Sequence, residues 1–416
     1  MKLTIVIWDT LYPTISSLAR TSEFDTKVYS ERELDTDRER LELLKEDLKA
    51  SDVIVAHRTT HQFWDEIVPF ISNLNDKRII CFGQDPSYWG LSTVDPAIVS
   101  KVYAYEQSGD HDNLENMFRF IENMFIDDTI TYSEPKTIPW QGIVHPDDPK
   151  RIFTSSEEYL EWYGYNDRRL VALIVSRSSW ISNQHPVEDE LIRELESVGL
   201  GVLPIMTNSL HNEETGSINI AECIELHLIR EGRPIVSALV KLVTFLIGKR
   251  PDLDHETSSR LTDELLASMN IPVFQPIISL ESSLEEWEAS DGITADIPWS
   301  VTMPEFEGAI EPLMLAATRS DSNDLYNRCS VPGRCRRIAE RIRRRIDLAV
   351  KDNSEKRVVL ILNNSPCASV EANIGSAAGL DSAASVVNIL QGLHDAGYDV
   401  EVPESSEALT RLFMER

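Results

Sequence analysis

Two short stretches of this chain combine residue types and spacings that could do chemistry. The first follows the apolar run at 171–175 and holds Ser176, Arg177, Ser178, Trp180, Asn183 and His185. An Arg there could grip a carboxylate through a two-pronged fork, and a Trp could lie on a flat ring. The same residues also suit a purely structural role, with Arg177 satisfying backbone carbonyls and Trp180 closing a domain interface. The second stretch lies at 373–381 and holds Asn373, Gly375, Gly379 and Asp381. Its Gly and Ala residues let a ligand or another backbone approach closely. Asp381 or Ser382 can then cap a helix. A tight strand-to-helix turn with no ligand explains the same pattern. Glu305 and Glu307 form a third, weaker candidate: two apart, they would share one face of a strand, or simply sit in a solvated loop.

Metal and nucleophile signatures are scarce. His57 and His61 are four apart, which on a helix would put both rings on one face. His57, however, ends an apolar run that reads as a strand, so that geometry fails. Cys329 and Cys335 lack ligand spacing and a second pair, which argues against structural zinc. The sequence has no Gly-x-Ser-x-Gly elbow and no phosphate-binding Walker A string, so neither acyl transfer nor ATP hydrolysis is expected of this chain. No cofactor is expected to be bound by the chain itself, and no catalytic or metal-ligating residue is assigned.

These residues need elements to position them. Apolar runs at 3–7, 53–56, 79–82, 171–175, 202–206, 272–278 and 358–362 read as strands. Helical periodicity covers 41–48, 63–74, 114–125, 187–198, 220–229, 264–269 and 284–289, with a further helix after 381. The stretch 234–247 reads as a short helix plus a strand at 242–246, and 297–303 as an edge strand. A last strand is expected at 399–402. Strands alternating with helices predict an α/β fold of consecutive Rossmann-like or flavodoxin-like parallel-sheet units. The last unit is incomplete, because one strand-helix-strand element cannot cover both faces of its own sheet. The expected domains are 1–150, an amino-terminal head; 151–325, a second α/β domain; and 326–416, an Arg-rich helix plus the start of a third. In that helix Ile338, Ile342 and Ile346 repeat every four residues. Its many Arg read as a salt-bridged outer face or as a basic docking face.

Composition excludes several classes. Forty basic against sixty-nine acidic residues give a net charge of −29, which opposes phosphate backbones and argues against nucleic-acid binding. No window holds enough consecutive apolar residues for a membrane span. The five Cys are odd in number and scattered, as expected of free thiols in a reducing cytoplasm, and the start of the chain does not read as a signal peptide.

The string 373–385, NIGSAAGLDSAAS, followed by a helix and Gly397-Tyr398, resembles the large subunit of cobaltochelatase (CobN) and the related H subunit of magnesium chelatase. Three earlier segments agree in order: VALIVSRSSW at 171–180 with Pro186-Val187, PVFQ at 272–275 with Trp287, and MPEFEG at 303–308. The chain departs from the pattern at 363–373, where NNSPCASVEAN replaces a more Gly-rich loop. The resemblance implies the amino-terminal part, or a split subunit, of an ATP-dependent enzyme that inserts a divalent metal, cobalt first among candidates, into a tetrapyrrole for a cobalamin-type cofactor. It implies AAA+ partner subunits that use the ATP, the remainder of the large subunit as a partner if split, and metal and ring as substrates. The loops holding Arg177, Trp180, His185, Asn373, Gly375, Gly379 and Asp381 would face the ring cavity or an interdomain interface. The isolated chain is expected to be inactive. The alternative is a stand-alone α/β small-ligand or tetrapyrrole-binding protein without enzymatic activity.

Overall fold

The computed structural model describes residues 1–74, 76–83, 85–213, 215–244, 247–248, 255–293, 296–318, 328–363, 375 and 379–415. They form two compact units, Met1–Glu340 and Arg341–Arg416. Both parallel sheets expected of separate domains lie in the first unit.

That unit opens with β1 (Lys2–Ile7), α1 (Tyr12–Ala19), β2 (Asp25–Ser30), α2 (Glu31–Thr36), α3 (Arg38–Ala50), β3 (Val53–His57), α4 (Trp64–Ile71) and β4 (Arg78–Phe82). The strands are parallel and ordered β2-β1-β3-β4. Alternate side chains face opposite layers. Leu3, Ile5, Val53, Val55 and Phe82 pack with α1 and with α5 (Pro96–Ser108) and α6 (His111–Phe125). Val6, Ile54, Ala56 and Cys81 pack under α3 and α4. Ile5 and Val55 are fully buried, and each contributes on the order of 1.5–3 kcal/mol by leaving water. Asp37, Asp95 and Asp110 accept backbone N–H groups at the starts of α3, α5 and α6.

The second sheet is built from β5 (Gln141–Ile143), β6 (Leu170–Ser176), β7 (Gly201–Thr207), β10 (Ala238–Lys241) and β11 (Val273–Phe274), while β8 (Ile229–Arg230) and β9 (Arg233–Pro234) form a separate two-stranded ladder. Its order is β11-β10-β6-β7-β5, parallel except for β5. The helices here are α7 (Ser156–Trp162), α8 (Arg177–Ile181), α9 (Pro186–Ser197), α10 (Ile220–Leu228) and α11 (His255–Met269). A three-stranded sheet follows, β12 (Ile277–Ser283), β13 (Met314–Thr318) and β14 (Arg328–Ser330), with α12 (Leu284–Ala289) and α13 (Met303–Phe306).

Several expectations are corrected. The strand between 234 and 247 is β10 at 238–241, not 242–246. The apolar run at 272–278 splits into β11 and the start of β12, in different sheets. The stretch 297–303 is a π-helical turn leading into α13 rather than an edge strand. Pro298 and Pro304 each sit in the first turn of a helical segment, where a missing N–H costs nothing.

Helix α14 (Arg334–Val350) runs across the boundary of the units with Cys335, Ile338, Ile342 and Ile346 buried. Two of its outer Arg residues are seen in ion pairs: Arg336 with Glu194 and Glu340, and Arg343 with Asp347. Among its described residues, the second unit adds two helices longer than one turn, α15 (Ser382–Asp395) and α16 (Ser406–Met414). The expected strands at 358–362 and 399–402 are not formed. Val359 is 82% and Ile361 90% exposed. A strand exists only through a neighbour's backbone hydrogen bonds, and no described residue supplies them.

Candidate functional site

The turn after β6 starts where Ser176 caps α8, its hydroxyl accepting from the Ser179 N–H. It ends where Pro186 takes the first turn of α9. Arg177 points inward and is 4% exposed. Its guanidinium donates to the carbonyls of Pro139 (3.0 Å), Ile138 (3.2 Å) and Gln107 (3.4 Å), and lies over the Trp140 ring at 4.3 Å. Burial pulls its pKa down to about 10, against the opposing charges of Asp110 and Glu106. These donors are committed to backbone, so Arg177 links the β6 edge to α5 and to the segment before β5.

Trp180 and His185 are brought together. Their rings stack at 4.0 Å and 11°. Trp180 is 4% exposed and its indole donates to the Pro149 carbonyl at 3.2 Å. His185 Nδ1 faces Asp189 at 2.9 Å. Arg328 latches the turn from outside, donating to Ser179 Oγ (2.8 Å), the Gln184 carbonyl (2.9 Å) and Glu188 (3.2 Å). The flat ring on which Trp180 lies is therefore the chain's own histidine.

In the second unit, Gly375 has φ +71° and Gly379 φ +72°, left-handed positions that favour glycine. The Ser382 hydroxyl donates to the Gly375 carbonyl. Asp381 caps α15 by accepting from the Ala384 N–H at 2.9 Å. Asn373 lies outside the described residues.

The carboxyl edges of the two parallel sheets carry charged residues that the sequence reading did not pair. In an open α/β sheet the ligand crevice lies where the strand order reverses, here between β1 and β3 and between β6 and β10. At the first, His57 ends β3 with its ring 2% exposed. Its Nδ1 meets Glu106 of α5 at 2.8 Å. Burial depresses the imidazole pKa, but the charge and hydrogen bond of Glu106 outweigh it, and the net shift is upward. Close by, Glu31 accepts from Trp64 Nε1 (2.8 Å) and Thr59 (3.0 Å), and burial raises its pKa. His61 lies in the following loop and pairs with Asp35 at 2.5 Å, so the two histidines hold separate carboxylates.

At the second crevice, Lys241 ends β10, 1% exposed. Its ammonium meets Glu307 at 2.6 Å, and the other Glu307 oxygen accepts from the Ile247 N–H at 2.5 Å. Burial lowers the Lys241 pKa despite that carboxylate. The paired-carboxylate reading of Glu305 and Glu307 is thus corrected: Glu305 is exposed on α13, whereas Glu307 turns inward to a buried cation. The missed signal was a lysine closing an otherwise apolar strand, which requires a partner. Among the described residues no three or more His, Cys, Asp or Glu side chains are grouped to hold a metal ion.

Comparison with known proteins agrees with this architecture. An uncharacterized protein of Methanocaldococcus jannaschii is 30% identical over 100% of this chain and 32% of its own length. The magnesium-chelatase subunit ChlH of Oryza sativa subsp. japonica is 26% identical over 72% of this chain and 22% of its own length. The catalytic subunit of cobaltochelatase from Mycobacterium tuberculosis has the same fold, with a TM-score of 0.65 and 21% identity, over 100% of this chain and 33% of that one. The chain therefore spans about a third or less of the length of these relatives. The CobN/Magnesium Chelatase family model matches residues 103–416, and the chain belongs to that family.

Proposed function

We propose that this chain is the amino-terminal part, or a split subunit, of a large chelatase subunit that inserts a divalent metal into a tetrapyrrole, with cobalt the first candidate. The observation that carries the reading is the family match over residues 103–416, together with a cobaltochelatase-like fold across the whole chain. In this reading metal and ring are substrates, and ATP is hydrolysed on AAA+ partner subunits. No cofactor is held by the chain itself. Insertion needs the ring to be distorted and its pyrrolic protons removed. The described residues offer no converging set of metal ligands. The role assigned to the chain is accordingly to hold part of the ring site and to dock partners in the cytoplasm.

The test is cobalt incorporation into hydrogenobyrinic acid diamide, followed by absorbance, with purified chain, AAA+ partners and ATP. The expected result is no turnover until the remaining large-subunit sequence is added. Turnover by the chain without it would overturn the reading. Saturable ring binding with no metal insertion under any combination would favour a tetrapyrrole-binding protein instead.

A further inference from the structure

We propose that residues 358–362, together with the exposed apolar side chains of the second unit, form a docking surface for the remaining large-subunit sequence, which pairs a parallel strand with 358–362 and covers both faces of that segment. This rests on the chelatase reading and names where the rest of such a subunit attaches.

The first observation is how little the second unit buries. Among its described apolar residues only Ile342, Ile346, Val386 and Leu409 are buried. Yet nearly half of the exposed large apolar side chains of the described chain lie in it, with Leu412, Phe413 and Met414 in a row at the end of α16. The local structure is otherwise satisfied. Asp381 and Ser405 cap α15 and α16, and Asn353 donates to the Ala396 carbonyl at 2.8 Å. What is short is apolar cover, not capping or hydrogen bonding within the helices. So small an internal core calls for cover from outside, and exposed apolar surface on this scale marks an interaction site.

The second observation is the pattern of 358–362, VVLIL. None of its backbone groups is hydrogen-bonded to a described residue. In a strand Val358 and Leu360 face one layer, and Val359 and Ile361 the other. All four are exposed. A strand apolar on both faces belongs inside a parallel sheet covered on both sides. An edge strand is instead blunted by charges or proline, and 358–362 has neither. The chain's own 399–402 mixes Asp399 and Glu401 with Val400 and Val402. That is an edge-type pattern, so it can supply one pairing edge at most.

The occupant follows from what it must bring: a strand for the open edge and further layers for two apolar faces. A second copy of this chain does not fit. It brings the same unpaired strand with the same uncovered faces, and each copy carries a net charge of −29, which opposes their approach. The remaining large-subunit sequence does fit. The cobaltochelatase fold matches across the whole of this chain with only 33% of the longer one, so the greater part of such a subunit is there to supply strands and helices.

The test follows the full chain by hydrogen exchange and mass spectrometry, alone and co-purified with the remaining large-subunit sequence. Alone, the amides of 358–362 should exchange nearly freely, and in the complex they should slow by about a hundredfold or more. The double variant Val359→Asp, Ile361→Asp alters side chains that are 82% and 90% exposed. The variant chain alone should keep its melting temperature, whereas its co-purification should fall by about tenfold or more. Protected 358–362 amides in the chain alone would overturn the proposal, and so would undiminished co-purification of the variant. Protection that rises with the concentration of the chain alone, with a dimer in sedimentation, would identify a second copy and overturn it as well. Each of these outcomes leaves the chelatase reading standing. Failure of that reading shows differently, as no metal insertion by the co-purified wild-type polypeptides with AAA+ partners and ATP.

Discussion

In each of the two sheets the third parallel strand in chain order ends on a buried base, His57 in one and Lys241 in the other. Each base meets a glutamate from later in the chain, Glu106 at 2.8 Å and Glu307 at 2.6 Å. The two crevices treat that base differently. Glu307 also accepts a backbone N–H, so both its oxygens are engaged where it meets the cation. His57 keeps one ring nitrogen buried and unmet. A closed ion pair can lock a sheet edge, whereas a half-satisfied one leaves a donor for something else. The second crevice is therefore closed on its own residues, whereas the first keeps one hydrogen-bonding position open.

The largest expected effect falls on the closed pair. Glu307→Ala removes the carboxylate that meets the Lys241 ammonium at a site 1% exposed and should cost about 3–5 kcal/mol in chemical denaturation. A cost near zero would show that the pair is not sealed, and the contrast would collapse. Next, Gly83→Ala pushes a Cβ against the Arg58 backbone and should cost about 1–3 kcal/mol through the forced shift. It should also move the His57 ring resonances. Unmoved resonances would separate Gly83 from the first crevice.

The two bases should also titrate with opposite sign. The folded pKa of His57 is raised, so its contribution is fully present below the unfolded value of about 6.5 and is lost as pH rises through the folded value. Melting temperatures of wild type and Glu106→Gln should therefore differ more at acid than at alkaline pH. The folded pKa of Lys241 is lowered, so stability relative to Lys241→Met should rise with pH towards the unfolded value of about 10.4. Slopes of the same sign would break the comparison. The smallest effect is expected at Arg343→Ala on α14, where an exposed pair with Asp347 is worth at most about 0.5 kcal/mol by thermal melt.

Much of the architecture was legible in short apolar runs. Residues 3–7, 53–56, 79–82, 171–175 and 202–206 became β1, β3, β4, β6 and β7, because a strand covered on both faces must be apolar throughout. The strand β2 was missed: DTKVYS is polar and only its end is buried. Helix α5 was missed, although Asp95 and Pro96 mark its start. The run at 358–362 misled for the opposite reason, since its apolar character is real but no described neighbour pairs with it. At the candidate site, Arg177, Trp180 and His185 lie together after the carboxyl end of β6. Their side chains proved to face protein, towards three carbonyls, a histidine and a carboxylate.

Local sequence alone determined the parallel α/β class, the amphipathic Arg-rich helix and the ordered motifs that mark the family, because each depends on residues close together in the chain. Tertiary structure alone decided which charges meet. Glu106 lies 49 residues from His57 and Glu307 lies 66 from Lys241, and no periodicity reports such distances. Whether a buried base is sealed or left with a nitrogen to offer is settled only when distant segments pack, because desolvation and pairing act through space.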